Sequence, residues 1–380
     1  MGNELSKEQL EQMITIFNYK YAKANTKSKK KLIASDLILL SSMCEKYFSN
    51  FEFDISWNND NTLCCDAILA YCKFITNASG NREKYLKIFK SSLKQILSTS
   101  PNFYKYYGKT YSRHSTADLE EIFCDFLNTF SPKLCNEYRS MRDKGNIFAV
   151  STDEDYTGEN YAFSTLNDTM ILLDETLDDS IELYTVLSHE LGHSYEAKLY
   201  LNNHKMRDYD KIMNSPFYEV SSIFLEYAYI NYLIENNIYR EENNMLLHDY
   251  IIDLLTDSLY AVAILRNPSI IDDVDDEMII SIEKSKYYLE SIQRDYNMHI
   301  IPEDNKVSLS DTLIYGFGKL FSIYMYENYK KDPKYFMKEF NKALLDYSLT
   351  EDMSSFARVG VSYNKIKKGD ALKRVLTKIN

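Results

Sequence analysis

Residues 188–196 read Ser-His-Glu-Leu-Gly-His-Ser-Tyr-Glu. Residues four apart in an α-helix lie on one face, one turn apart, so His189 and His193 can offer two imidazole nitrogens to a single ion. Glu190 lies about 100° further round the helix, and its longer side chain can reach a water bound to that ion. Zinc suits such a donor set because it takes histidine and carboxylate ligands and tolerates an open fourth position. With six histidines and 56 acids among 380 residues, the pattern arises by chance with odds of roughly 1 in 70. The bland alternative is a histidine pair packed in a helix without metal. A third ligand elsewhere in the chain decides between them.

That ligand is expected 26 residues after His193. The segment Ser215-Pro-Phe-Tyr-Glu219 predicts a new helix, with Ser215 as N-cap and Pro216 at the first helical position. Glu219 then falls in or near the first turn, where a second helix crossing the first presents it to the ion. Simple interaction with the helix dipole is the competing role for such a glutamate. Glu226, two turns along the same face, is placed to orient a ligand histidine from behind. Glu196 also follows His193 closely, but it shares a helix with both histidines and would crowd the ion. A solvated or supporting role suits it better.

Outward from this stretch the chain reads as mostly helical. Ten glycines and six prolines are few for 380 residues, and turn-rich β folds need them often. Segments 61–76, 82–97 and 117–142 carry apolar residues at three- and four-residue intervals, as amphipathic helices do. Gly145 ends that run. The short apolar runs Ile147–Val150 and Met170–Leu173, with Tyr161–Thr165 between them, are the strand candidates, set off by a polar turn at 153–160. Helical patterning resumes near Asp178, and Pro216, Pro268, Pro302 and Pro333 mark helix boundaries. The shift in texture divides the chain into an N-terminal helical region, 1–145, and a region holding the metal motif, 146–380.

The net charge of −12 disfavours nonspecific binding to nucleic acid or anionic membrane and leaves peptides and small ligands open. No apolar run is long enough to span a bilayer and no signal-like segment opens the chain, so a cytoplasmic protein is expected. Six cysteines, none in a CxxC pair, read as buried thiols in a reducing compartment. Met1-Gly2 with Ser6 fits a myristoylation pattern, but Ser6 with Gln9 also reads as a helix capping box, the simpler account. The chain has no phosphate-binding loop and no GxSxG. His114, His204 and His248 stand alone, as surface or satisfied histidines. Nothing here sets an oligomeric state.

Glu219-Val-Ser-Ser-Ile-Phe-Leu-Glu226 downstream of His-Glu-Leu-Gly-His resembles the E-x-x-S-x-x-x-E setting of the thimet oligopeptidase and oligoendopeptidase F family of zinc peptidases, the M3 family. Tyr161–Thr165 and Met170–Asp174 resemble the strand pair that leads into the family's metal helix. Tyr315-Gly-Phe-Gly318 resembles its tyrosine segment ending in glycine, and Lys334–Val361 its closing helices. The likeness covers about 146–362. It implies a mainly α, zincin-type fold with a small β-sheet beside an active-site cleft. It also implies one zinc ion held by His189, His193 and Glu219, Glu190 as general base, and Tyr315 as oxyanion donor. The sheet edge at Ala162, Phe163 and Ser164 is implied to bind extended peptide through its backbone.

Two departures stand out. The family places a histidine and a second tyrosine shortly before the oxyanion tyrosine. Here Tyr296 and His299 lie at a different offset, leaving His299 a subsidiary catalytic candidate. The region before the motif is also short, so the roof of a deep channel is expected to be reduced. The expected activity is hydrolysis of peptide bonds within oligopeptides. A carboxypeptidase or dipeptidase on a related helical scaffold, or a helical binding protein without turnover, are the alternatives.

Overall fold

The computed structural model describes residues 3–4, 6–48, 81–99, 105–106, 109–150, 158–163, 166–174, 177, 179–202, 217–266, 279–280, 307–350 and 353–379. Its first elements are β1 (Asn3–Glu4), α1 (Lys7–Lys23), α2 (Lys27–Tyr47), α3 (Asn81–Ser98), α4 (Thr116–Phe130) and α5 (Pro132–Lys144). Strands β2 (Ile147–Val150), β3 (Gly158–Phe163) and β4 (Asp168–Asp174) follow, then α6 (Ile181–Asn202), α7 (Val220–Glu235) and α8 (Arg240–Arg266). The short strands β5 (Ile279–Ile280) and β6 (Val307–Ser308) precede α9 (Leu309–Tyr329) and α10 (Pro333–Thr350). A 3₁₀ turn at Met353–Val359 leads to α11 (Tyr363–Lys368) and α12 (Asp370–Ile379). The fold is mainly α, as the sequence predicts, with a four-stranded sheet and a two-stranded β5-β6 pair among the described residues.

By its contacts the chain forms two compact units, Met1–Asn59 with Tyr111–Arg207, and Asp60–Thr110 with Asp208–Asn380. In the first, the sheet order is β1-β2-β4-β3, with β2 parallel to β4 and β3 antiparallel to it. Strand β4 runs through the middle and is buried along nearly its whole length, which explains its continuous apolar run. Strand β3 occupies the edge. Side chains alternate across a strand, and β3 obeys this: Phe163 stacks on Phe17 of α1, while Asn160 hydrogen-bonds Ser194 of α6. Phe148, Val150, Tyr161, Met170 and Leu172 thus share a core with α1 and α2, and α6 packs against β3 and β4.

Local chemistry accounts for most boundaries. The capping box at α1 forms as expected: Gln9 N–H donates to Ser6 Oγ at 3.2 Å and Ser6 N–H to Gln9 Oε1 at 2.8 Å. The apolar pattern over 117–142 is two helices, because Pro132, at the first position of α5, has no N–H to continue α4. Gly145 closes α5 in the left-handed conformation, with φ of 70°. Strand β3 begins at Gly158, inside the stretch expected as a turn, and Pro333 opens α10. Segment 61–76, Pro216, Pro268, Pro302 and the start of the chain through Gly2 lie outside the described residues.

In the second unit, α7, α8 and α9 pack on one another and α3 packs on α8. Phe317 of α9 lies among Tyr85 and Phe89 of α3 and Phe217 just before α7, with ring centroids 4.9, 4.9 and 5.5 Å away. Phe217 also meets Phe321 and Phe356. Among the described residues no helix is long and apolar enough to cross a membrane.

Candidate metal centre

Helix α6 carries His189, Glu190 and His193, with the two imidazole centroids 5.1 Å apart. His193 and Glu190 are buried, and His189 is partly exposed. Strand β3 passes close to this face because of Gly158. A Cβ there would lie 2.8 Å from Val186 Cγ1 and 3.1 Å from Glu190 Cγ, so any side chain would displace the strand or the glutamate. Asn160, two residues along, donates to the hydroxyl of Ser194 and to the carbonyl of Met170. The helix face bearing the histidines is thus tied to the sheet next to them.

The helix that carries Glu219 starts later than the expected Pro216, with Glu219 directly before its first turn. Phe217–Glu219 form a turn, α7 starts at Val220, and Glu219 is its N-cap rather than a first-turn residue. Its side chain caps no backbone N–H. Instead the buried Ser222 hydroxyl donates to Glu219 Oε2 at 2.7 Å and contacts its carbonyl oxygen at 3.0 Å. Phe217, locked in the aromatic cluster two residues earlier, anchors the turn. Helix α9 closes against it, for Gly318 would place a Cβ 2.4 Å from Ile223 Cδ1 and 3.1 Å from the Glu219 carbonyl. Only glycine lets the two helices approach so closely.

His189, His193 and Glu219 each offer one ligand atom, and these atoms lie within 4.8 Å of one another. Ligands on one tetrahedral zinc are roughly 3.4 Å apart. Two neutral imidazoles and one carboxylate match zinc in donor type and in charge. Glu196 takes no part in this group, and of the solvated or supporting role expected for it the solvated one is ruled out, since only 1% of it is exposed. On α6 the turn after His193 faces the protein interior along its whole circumference, a burial that local sequence spacing does not reveal.

Glu226 lies on α7, partly exposed, within electrostatic reach of Lys319 and Tyr250. Tyr315, on α9, is partly buried, with the Lys319 ammonium 5.5 Å from its ring centroid. Burial works against the charge on Lys319, but the carboxylates of Asp253, Asp257 and Glu226 outweigh it and hold its pKa above the ordinary lysine value. Ala162 and Phe163 lie on the edge strand, the Phe163 side chain fully buried and turned to α1. Ser164, Tyr296 and His299 lie outside the described residues. His248 is buried against Tyr106, and the His114 backbone N–H donates to Asp179.

Gly158, Asn160 and Lys319 were not singled out by the sequence. A lone lysine within the apolar run Leu313–Met325 was the available signal for the last. Comparison with protein-family profiles and with curated protein sequences finds no match. Solved structures do match in fold. A chain from Bacillus anthracis str. Ames assigned as an oligoendopeptidase F superposes with a TM-score of 0.52 at 12% identity, over 100% of this chain and 96% of that one. A second structure assigned as an oligoendopeptidase F gives 0.51 at 13%, over 98% of this chain and 64% of the other. PZ peptidase A, solved with an inhibitor, gives 0.51 at 11%, over 96% and 70%. These similarities establish a shared fold.

Proposed function

We propose that this chain is a zinc-dependent endopeptidase acting on oligopeptides. The observation that carries the reading is the convergence of His189, His193 and Glu219, three ligands of the type and number found in catalytic zinc sites. The fold shared with structures described as oligoendopeptidase F and PZ peptidase points to the same class. Bound zinc would act as a Lewis acid on the scissile carbonyl and on the attacking water. Glu190, buried beside the histidines, accepts a proton from the attacking water and delivers it to the leaving amine. Tyr315 donates its phenol hydrogen to the developing oxyanion. The edge of β3 at Ala162 and Phe163, continuing to Ser164, pairs with extended substrate through backbone hydrogen bonds. Glu226 supports the site from behind.

Metal analysis paired with cleavage of a mixed oligopeptide pool by wild type and Glu190→Gln tests this. One zinc per chain in both proteins, with cleavage lost in the variant, is the expected result. Absence of zinc, or cleavage indifferent to Glu190, overturns the proposal. Peptides blocked at the C-terminus separate an endopeptidase, which still cuts them, from a carboxypeptidase, which does not.

A further inference from the structure

Lys319 is a charged residue in an apolar place. Its neighbours on α9, Phe317, Leu320, Phe321 and Ile323, are buried, and Lys319 itself is only 8% exposed. The ammonium lies 3.1 Å from Asp257 Oδ2 and 3.3 Å from Asp253 Oδ2, both on α8. Asp257 is largely buried and Asp253 faces solvent. Glu226 of α7 adds a further negative charge within electrostatic reach. The Lys319 carbonyl accepts a hydrogen bond from the Tyr250 hydroxyl at 2.8 Å, so the backbone at this point is held as well.

Packing does not require a lysine here. A buried ion cluster seldom stabilises a fold more than a well-packed apolar side chain of similar volume, because desolvation offsets the Coulombic gain. A methionine would fill the same space. What a methionine would not supply is a fixed positive charge one turn after Tyr315. Residues i and i+4 are neighbours on a helix face, and the Lys319 ammonium stands 5.5 Å from the Tyr315 ring centroid. A cation at that range is drawn to the ring's π electrons. It restrains the ring and so holds the phenol in one orientation. The next residue back, Gly318, packs on the Glu219 carbonyl, so this stretch of α9 lies against the start of α7.

We propose that Lys319, clamped by Asp253 and Asp257, is a positioning residue that orients Tyr315 for its role as oxyanion donor. This rests on the peptidase reading above. Lys319 touches no substrate; it acts through the tyrosine. Replacing it therefore lowers kcat and leaves KM nearly unchanged, and the loss depends on the Tyr315 hydroxyl.

The test is a double-mutant cycle on the full chain with zinc bound, using one internally quenched oligopeptide selected from a cleavage library. Lys319→Met is expected to lower kcat about three- to thirtyfold, with KM within about twofold. Lys319→Arg, which keeps the cation, restores most of the rate. In a Tyr315→Phe background, Lys319→Met has no further effect. Should Lys319→Met alone fail to fold, Lys319→Met with Asp257→Asn removes both buried charges together and serves in its place. Equal fold losses in the two backgrounds, or an unchanged kcat in Lys319→Met where Tyr315→Phe is slow, overturn the inference and leave the peptidase reading standing. Full activity in Tyr315→Phe overturns it by removing the oxyanion role itself, and absence of any cleavage by wild type sinks the peptidase reading with it.

Discussion

At the scale of single residues, the geometry around Glu219 separates two roles that sequence alone leaves open. A glutamate at a helix start commonly serves the dipole or caps a backbone N–H. Glu219 does not cap; its carboxylate takes the Ser222 hydroxyl instead. A hydrogen bond from behind fixes the orientation of a ligand carboxylate. Ser222→Ala is therefore expected to weaken zinc binding about 10- to 100-fold, read by competition with a chromophoric chelator, while the helix content stays unchanged. Unaltered zinc affinity would show that Ser222 serves only the helix turn. Ser222 entered the sequence reading only through the E-x-x-S-x-x-x-E resemblance, and its hydrogen bond to Glu219 came from the structure. The burial of Glu196 was not legible, because it depends on what packs around α6 rather than on its neighbours in the chain.

At the scale of elements, close approach is set by small residues whose partners are far away in sequence. Gly318 lets α9 press against the first turn of α7. Alanine there gains about 1 kcal/mol of helix propensity, but overpacking costs about 1–3 kcal/mol, and the second effect wins. Gly318→Ala should lower the midpoint of chemical unfolding. The 2.4 Å contact is to Ile223 Cδ1, the flexible end of its side chain, so adding Ile223→Val should recover part of the loss. A double variant as unstable as the two losses summed would count against this contact. On the other unit, Asp168 at the start of β4 pairs with Lys144 of α5 at 3.0 Å and Lys198 of α6 at 3.4 Å. Burial pushes its pKa up, but the hydrogen bond from Lys144 and the nearby positive charges outweigh that and lower it. A depressed carboxyl pKa contributes stability that is present above the unfolded value of about 3.9 and lost as pH falls through the folded one. Asp168→Asn should therefore destabilise the protein at neutral pH and converge with wild type below about pH 3. Parallel curves down to that pH would refute the pairing. Strand and helix existence were legible from periodicity, whereas the break at Pro132 and the start of β3 at Gly158 needed the structure, because boundaries respond to packing and single hydrogen bonds.

At the scale of the whole molecule, the proposed zinc binding would be linked to stability. An ion that binds the folded chain and not the unfolded one stabilises it by about 2.7 kcal/mol at a hundred times Kd. Adding zinc to metal-stripped protein should raise the thermal midpoint, and a chelator should reverse the rise. Glu219→Ala and His193→Ala should each abolish the response, since three ligands are needed to hold the ion tightly. A zinc-induced rise that survives both substitutions would place the ion elsewhere.

The sequence by itself determined the helical class, the strands before the metal helix, and the identity of His189, Glu190, His193 and Glu219 as candidates. These follow from periodicity and from the fixed geometry of a helical turn, which are local properties. Tertiary structure alone decided that Glu219 sits at the N-cap position of α7 with its carboxylate on the Ser222 hydroxyl rather than on a backbone N–H. It also decided that β3 is the sheet edge with Phe163 turned inward, and that Lys319 is buried beside Tyr315. The last two outcomes depend on which side chains meet across distances of tens to hundreds of residues, and pattern along the chain carries no information about that until the core has closed.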